Sequence, residues 1–417
     1  MKVLVLCESL NENDSSGTKG RVGLLKSFVK AGFSVTALHY SQKDLEIEGV
    51  ECILVKENKA SLLFVLSRIQ RLLFRWFKIN ISPTVDKLFG FPFGFFNDAK
   101  SLSKAVKKFK PYDFQMIWTL SKGDSYRSHK AVLALPQWHK KWYAYVHDPY
   151  PQQLYPRPYN FVPHGYRKKR YFFRAITQKA KRVVFPSLLL KEWMQSYFVD
   201  VKGKSLIIPH QLRSIPFSKR DLPNYFDTDK FNLLHAGSLL DLRDPKPIIE
   251  AYKEFLNKVP KAKNDSSLLF IGKTSVFTGY LLKQQSRIPQ IYLSKDYVPF
   301  KNVYAMQQLA SINIILEAKS EISPFLPGKF PHCVAANTPI FLIGPYYSEC
   351  KRILGETYQY QFDFDDVDKL ANAMVETYKI WQDDKEMLKL NRKDLIQYLS
   401  ANHLKKVIDE TSENLVV

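Results

Sequence analysis

Cysteine is scarce and unpaired in this sequence. Cys7, Cys52, Cys333 and Cys350 stand apart with no CxxC spacing, which argues against a thiolate zinc site and a disulfide scaffold and fits a reducing compartment. No uninterrupted apolar stretch approaches the roughly 18 residues of a membrane span. The opening run MKVLVLCESLNEND turns polar after a strand's length, too short for a signal-peptide core. A cytoplasmic chain whose membrane contact is at most peripheral is therefore expected. The sequence also lacks short repeats, low-complexity tracts, a GxGxxG fingerprint and a P-loop. Acid is in deficit: 40 Asp and Glu face 62 Lys and Arg, a formal charge of +22. Such an excess favours anionic partners, whether nucleotide diphosphates, lipid headgroups, lipid-linked phosphates or nucleic acid.

What is present is a repeated β-α-β grammar. At 417 residues with 45% hydrophobic content, two globular domains are the natural expectation. Val3 to Cys7 read as a buried strand, followed by the polar segment NENDSSGTKG and a helix carrying Val22, Leu25, Phe28 and Val29 on one face. Gly32 suits the helix stop, and SVTALHY resumes a strand. From Phe231 the pattern restarts with the strand NLLHAG and a helix entered through Pro247. Between these halves, QLRSIPFSKRDLPNYFDTDK has charge and proline but no sustained apolar period. The expected organisation is a Rossmann-like domain over 1–211, a linker over 212–229, a second Rossmann-like domain over 230–395 and a C-terminal helical segment over 396–417.

Several loops at strand ends carry residues suited to chemistry. Ser15, Ser16, Gly17, Thr18, Lys19 and Gly20 precede the first helix, where free backbone N–H groups can receive an anion or a sugar oxygen, although an ordinary strand-to-helix turn reads the same way. In HAGSLLDLRDPKPIIEAY, Gly237 and Ser238 close a buried strand, and Arg243 and Lys246 follow just before a helix. Two cations and a helix dipole there suit a diphosphate; the plain alternative pairs Arg243 with Asp241 or Asp244. In SPFLPGKFPHCVAANTPIFL, Pro327, Gly328 and Lys329 open a short helix that Asn337 caps, again a phosphate-like setting or mere punctuation. YAYVHDPYPQQLYP sets His147 and Asp148 at a strand end, where either can take a proton from a hydroxyl or bond a sugar, or simply make an Asx-type turn. LSKGDSYRSHK, with Ser121, Asp124, Ser128 and His129, offers a further polar wall.

Between residues 61 and 78, Leu62, Val65, Leu66, Ile69, Leu73 and Trp76 share one helical face, and Arg68, Arg71, Arg75 and Lys78 the opposite one. A basic amphipathic helix of this kind suits an anionic membrane surface; the alternative is a core-facing helix with a solvated basic side. YRKKRYFFR, Tyr166 to Arg174, adds a second basic patch. Neither a nucleic-acid module nor a basic region outside the α/β framework is visible, so nucleic acid is not an expected partner.

Taken in order, the N-terminal strand and loop, AYVHDPY, KAKRVVFPSLLLKEWM, SLIIPHQL, HAGSLLDLRDPKPIIEAY, LLFIGK, YVPFKNVYAMQQLASINIIL and PGKFPHCVAANTPIFL resemble the bacterial family 4 glycosyltransferases over nearly the whole chain. The resemblance implies an α/β protein of GT-B architecture, two Rossmann-like domains facing across a cleft with the last helix returning to the first domain. It implies sugar transfer from a nucleotide diphosphate sugar to a glycan or lipid-linked acceptor, in bacterial surface polysaccharide synthesis. Gly237, Ser238 and Arg243 would form the donor diphosphate loop, and Gly328 and Lys329 the phosphate-facing helix start. Asp148 and His147 would serve catalysis, with Ser16, Gly17 and His332 toward the donor sugar or ribose. Phe185 and Ser187 fall where the last N-domain strand ends. Transfer is expected to be retaining and free of metal or other cofactor, because Asp363, Asp365 and Asp366 read as helix-start acids rather than a DxD site. Where many members carry two glutamates, this sequence has Pro324 and His332, so the ribose contact differs. A sugar-nucleotide epimerase would need the same donor pocket and is the rival reading.

Overall fold

The computed structural model describes residues 1–14, 16–295 and 297–413. The chain divides into two compact units. One comprises Met1–Tyr155, Tyr159–Gln211 and the segment from Ser400 onward; the other comprises Pro156–Pro158 and Leu212–Leu399.

The first unit is built on seven parallel strands: β1 (Lys2–Cys7), β2 (Ser34–His39), β3 (Val50–Leu54), β4 (Met116–Leu120), β5 (Trp142–Tyr145), β6 (Arg182–Phe185) and β7 (Ser205–Ile207). They lie in the order β3-β2-β1-β4-β5-β6-β7. Val3 is flanked by Val35 on one side and Met116 on the other. Strands buried on both faces need near-continuous apolar runs, and Val3 to Cys7 are fully buried. The helix Ser16–Lys30 crosses between β1 and β2 and stops at Gly32, whose φ of 83° favours glycine.

Two cores cover the two faces of this sheet. On one, Val22, Leu25 and Phe28 pack with Trp118 and Tyr143, and the C-terminal helix Ala401–Glu413 adds Leu404 and Ile408. Phe28 meets Trp118 edge-on at 5.0 Å, and Trp118 stacks on Tyr143 at 4.9 Å. Each large side chain so buried stabilises the fold by about 1.5–3 kcal/mol. The opposite face is closed by Phe95, Leu102, Val106, Phe173 and Ile176.

The second unit repeats the plan with β8 (Phe231–Ala236), β9 (Ser266–Ile271), β10 (Ile291–Leu293), β11 (Ile312–Leu316), β13 (Ile340–Ile343) and β15 (Gln361–Phe362), in the order β10-β9-β8-β11-β13-β15, all parallel. A separate pair, β12 (Ile322–Ser323) and β14 (Tyr347–Ser348), lies apart from this sheet. Residues 212–229 hold one 3-10 turn, Lys219–Asp221, closed by a reciprocal Ser218–Asp221 cap. The unit's chain ends are tied where Leu212 N–H donates to the Leu399 carbonyl at 2.8 Å.

In both sheets the first strand lies between the second and the fourth. The order of succession therefore reverses beside β1 and beside β8. Loops leaving the carboxyl ends of the strands diverge at such a point and open a crevice. The candidate site residues gather at these two places.

Candidate functional site

In the second unit, β8 ends at Ala236 and the chain continues through Gly237 and Ser238. Gly237 has a φ of 158°, and a Cβ there would lie 3.0 Å from the Lys329 ammonium. Gly272, at the end of the neighbouring β9 with a φ of 137°, approaches so closely that a Cβ would stand 2.7 Å from the Gly237 carbonyl oxygen. Both glycines are there for close approach: one admits a lysine head to the strand end, the other lets two loops run side by side.

Lys329 arrives from the turn before the helix Phe330–Ala336. Its side chain is half-buried with the ammonium turned inward, 3.5 Å from His235 Nδ1. Burial, reinforced by the nearby Arg243 charge, pushes this amine down to about 7. Arg243 is also half-buried; it donates to the Ser238 carbonyl at 3.3 Å, and its Nε is buried without a partner. Among the described residues neither cation forms an ion pair, and Asp244 instead faces Lys246 at 4.0 Å. His235 is buried at the end of β8. Burial first, then Lys329 and Arg243, hold it well below the ordinary imidazole range, so it is neutral.

Glu317 follows β11 directly and is buried. It accepts from Ser323 Oγ at 2.9 Å, and its carboxyl lies over Gly344, where a Cβ would be 2.2 Å from Oε2. Burial raises this carboxyl to about 7, against smaller opposing effects from Ser348, Ser323, Cys350 and Arg243. The arrangement thus combines two cations without an ion pair among the described residues, a neutral histidine and a carboxyl raised to about 7, at the ends of the adjacent strands β8 and β11. A polyanion entering there finds charge already desolvated and in place.

The structure brings Gly237, Ser238, Arg243 and Lys329 together. Gly328 is exposed with open space around it, so no packing demand explains the glycine. His332 is one turn on, buried against the rings of Phe300 at 5.4 Å and Tyr304 at 5.6 Å. Asn337 caps that helix in the left-handed region with a φ of 56°. Asp363, Asp365 and Asp366 lie before the helix Val367–Asp383 and face Lys351, Lys319 and Lys369 respectively.

In the first unit, His147 follows β5 and is half-buried. Its backbone N–H donates to Ser121 Oγ at 3.1 Å, and its Nδ1 lies 2.9 Å from the same oxygen. The Ser121 hydroxyl thus holds both the backbone and the ring of His147, and Nδ1 is engaged with it. Burial, with His210, Arg21 and His129 nearby, holds the ring well below its ordinary pKa. It stacks on Tyr145 at 4.2 Å and parallels His210 at 6.0 Å. Asp148, beside it, is raised by burial to about 6. Asp124 is raised to about 6 as well, by burial and then by Asp86 and Asp148 against Lys169. His129, by contrast, is fully buried, and burial depresses it to about 3.

Arg21 organises this end of the sheet. It is buried and donates to the Ser9 carbonyl at 3.0 Å, the Ser121 carbonyl at 3.2 Å and Thr18 Oγ1 at 2.8 Å. One guanidinium thereby ties the loops after β1 and β4 to the start of the first helix. Ser16 and Gly17 occupy that helix start, and Gly17 is exposed. Ser15 lies outside the described residues. His210 packs beside Gly20, whose absent Cβ would meet its ring at 3.5 Å. Ser187 caps the helix Leu188–Tyr197 through the Leu190 N–H, and Phe185 is fully buried as the last residue of β6.

Four residues central to these constellations escape a motif-based reading: Arg21, His210, His235 and Glu317. His235 and Glu317 carry a usable signal, since each is a polar residue at the carboxyl end of an apolar strand flanking the reversal point. Arg21 and His210 carry none, because one is a helix residue and the other sits in a proline-bounded loop.

The two parallel sheets, each reversing beside its first strand, define the GT-B fold. Solved structures match over the full length: a glycosyltransferase from Rickettsia africae at 15% identity and a TM-score of 0.61, covering 100% of this chain and 98% of that one. An α,α-trehalose-phosphate synthase (UDP-forming) from Burkholderia xenovorans in complex with glucose-6-phosphate matches at 12% identity and 0.61, covering 99% of each chain. Anabaena HepE in complex with UDP and glucose matches at 13% identity and 0.55, again covering 99% of each. No protein-family model and no curated protein matches the chain.

Proposed function

We propose that the protein is a glycosyltransferase that moves a sugar from a nucleoside diphosphate sugar, with a uridine diphosphate donor first in line, to a glycan or lipid-linked acceptor. The observation that carries this reading is the meeting of Lys329 and Arg243 at the Gly237 strand end with no acid among the described residues paired to either. In the reaction the bond from the sugar's anomeric carbon to the diphosphate oxygen breaks. A bond from that carbon to an acceptor oxygen forms, and the acceptor's proton leaves with the diphosphate or through a nearby base. Negative charge grows on the departing diphosphate, and that is where two desolvated cations lower the barrier. The neighbour in complex with UDP and glucose, and the one named as UDP-forming, support the choice of base.

His147, its Nδ1 engaged by Ser121, is suited to hydrogen-bonding a sugar hydroxyl through Nε2, while Asp148 is the adjacent carboxyl able to accept a proton. Retention of configuration, and a role in bacterial surface polysaccharide synthesis at the cytoplasmic face of the membrane, extend the proposal. They rest on the order of motifs resembling family 4 and on the basic charge.

A thermal-shift series with UDP, ADP, GDP and their sugars tests the donor, because a ligand that binds the native state alone raises Tm. Failure of every nucleotide to shift the protein would overturn the proposal. Release of free nucleoside diphosphate only when an acceptor glycan is present separates transfer from epimerisation, which releases none as product.

A further inference from the structure

The helix Leu62–Phe77 leaves much of its apolar surface exposed in the first unit, with Leu63, Phe64, Leu66 and Leu73 only half-buried. A surface helix normally buries its apolar stripe. Here Ser67 and Gln70 are the buried residues. Ser67 faces Gly94 of the helix Phe93–Val106, and Gln70 Nε2 donates to Ser82 Oγ at 2.9 Å. Leu62, Val65, Ile69, Leu72 and Trp76 share the face at the spacing i, i+3, i+7, i+10, i+14, and all five are exposed, Leu62 at 73% and Trp76 at 69%. Phe77 and Ile79 extend the band past the helix end, at 64% and 51% exposed.

The surface continues beyond this helix. Leu88 and Phe89 are exposed at the end of the helix Ser82–Phe89. That helix is locked to the start of Tyr166–Lys179, because a Cβ on Gly165 would fall 2.0 Å from the Asp86 carbonyl oxygen and one on Gly90 would fall 2.8 Å from Lys168. The second helix presents Arg167, Lys168, Arg170 and Tyr171 to solvent. Exposed large apolar side chains gathered on one helix face in this way mark an interaction surface.

Charge decides the occupant. No Asp or Glu occurs between Glu57 and Asp86, whereas Arg68, Arg71, Arg75 and Lys78 border the apolar band. A second copy on the same heptad-like seam would bring these cations together with no acid to pair them. An anionic bilayer supplies apolar depth and negative charge at once, and arginines border the band with stems long enough to reach the headgroups. We propose that this face docks on anionic phospholipid membrane, with the helix Leu62–Phe77 lying in the headgroup plane and Leu88, Phe89 and the Tyr166–Lys179 helix start as its second contact. The inference deepens the lipid-linked acceptor reading by naming the surface that meets the bilayer, and it stands on the helix geometry without the donor site.

Co-sedimentation of the full chain with vesicles of phosphatidylcholine alone, and of equal parts phosphatidylcholine and phosphatidylglycerol, tests it. The wild type is expected to partition to the anionic vesicles and to be released by salt, with each basic residue removed weakening binding about fivefold. The exposed double variant Ile69→Glu/Trp76→Glu is expected to lose binding with its Tm unchanged. Failure of the wild type to bind anionic vesicles, or equal binding by the variant, would overturn the proposal. So would a wild-type dimer in light scattering that this variant dissociates without any vesicle binding, which would assign the face to a second copy. The UDP thermal shift reads the donor site separately, so loss of either result leaves the other standing.

Discussion

The Lys329 ammonium stands 3.5 Å from Nδ1 of His235, two basic groups held together at one strand end with no acid between them. The contact persists because His235, buried and beside two cations, stays neutral and can accept from the lysine. Lys329 in turn is an amine held near 7 by burial and Arg243, ready to be fully charged when an anion arrives.

Removal of either cation should weaken donor recognition without harming the fold. Lys329→Ala and Arg243→Ala each delete a charge-assisted contact to the diphosphate worth about 1.5–3 kcal/mol, a roughly 10- to 100-fold loss of UDP affinity. Calorimetric titration measures the affinity and a melt in its absence measures the fold. Unaltered affinity in both variants would remove this site from the proposal.

UDP affinity should fall as pH rises. Below about 7 the free enzyme already carries Lys329 protonated; above it, binding must take up a proton. The penalty is up to about tenfold per pH unit above that point. Titrations at acidic, neutral and alkaline pH check the slope, and Lys329→Met should flatten it.

Glu317→Gln should stabilise the protein most above neutrality. The folded carboxyl is raised to about 7 from an ordinary 4.5, so folding takes up a proton between those values. Wild-type stability therefore declines across that window by about 1.4 kcal/mol per unit and the loss is complete above the folded pKa. Gln keeps the shape and lacks the titration. Melts at pH 5 and pH 8 should show a larger gain for the variant at pH 8.

The three glycines around the proposed donor site should separate by role. Gly272→Ala puts a Cβ 2.7 Å from the Gly237 carbonyl at an unfavourable φ and should destabilise by about 1–3 kcal/mol. Gly237→Ala pushes directly on the Lys329 head and should weaken UDP binding more than stability. Gly328→Ala has open space and should leave Tm unchanged, so any loss of UDP affinity there reports the approach of the ligand.

His147→Ala should lower turnover about 100-fold with the UDP shift intact, as expected for a group positioned toward a sugar hydroxyl. Ser121→Ala removes the hydroxyl that holds His147 Nδ1 and should cost less. Equal activity in both variants would assign His147 a structural part.

The chain's apolar periods alone determined the two α/β halves, because strands buried on both faces must be continuously hydrophobic and their helices must follow a 3.6-residue period. Val3 to Cys7 and Phe231 to Ala236 were legible for that reason. So were Arg243 and Lys329, since cations beside glycines at helix starts are local signals. What the sequence could not show is which way a helix faces or which distant residues meet. The stripe of Leu62 to Trp76 was plain, but only its packing through Ser67 and Gln70 revealed that Leu62, Val65, Ile69 and Trp76 point outward while Leu66 and Leu73 are half-buried. His235 and Lys329 are 94 positions apart, and Glu317 reaches the same strand ends only because β11 lies beside β8. Such meetings are set by strand order, a property of the whole sheet that no local window of residues contains.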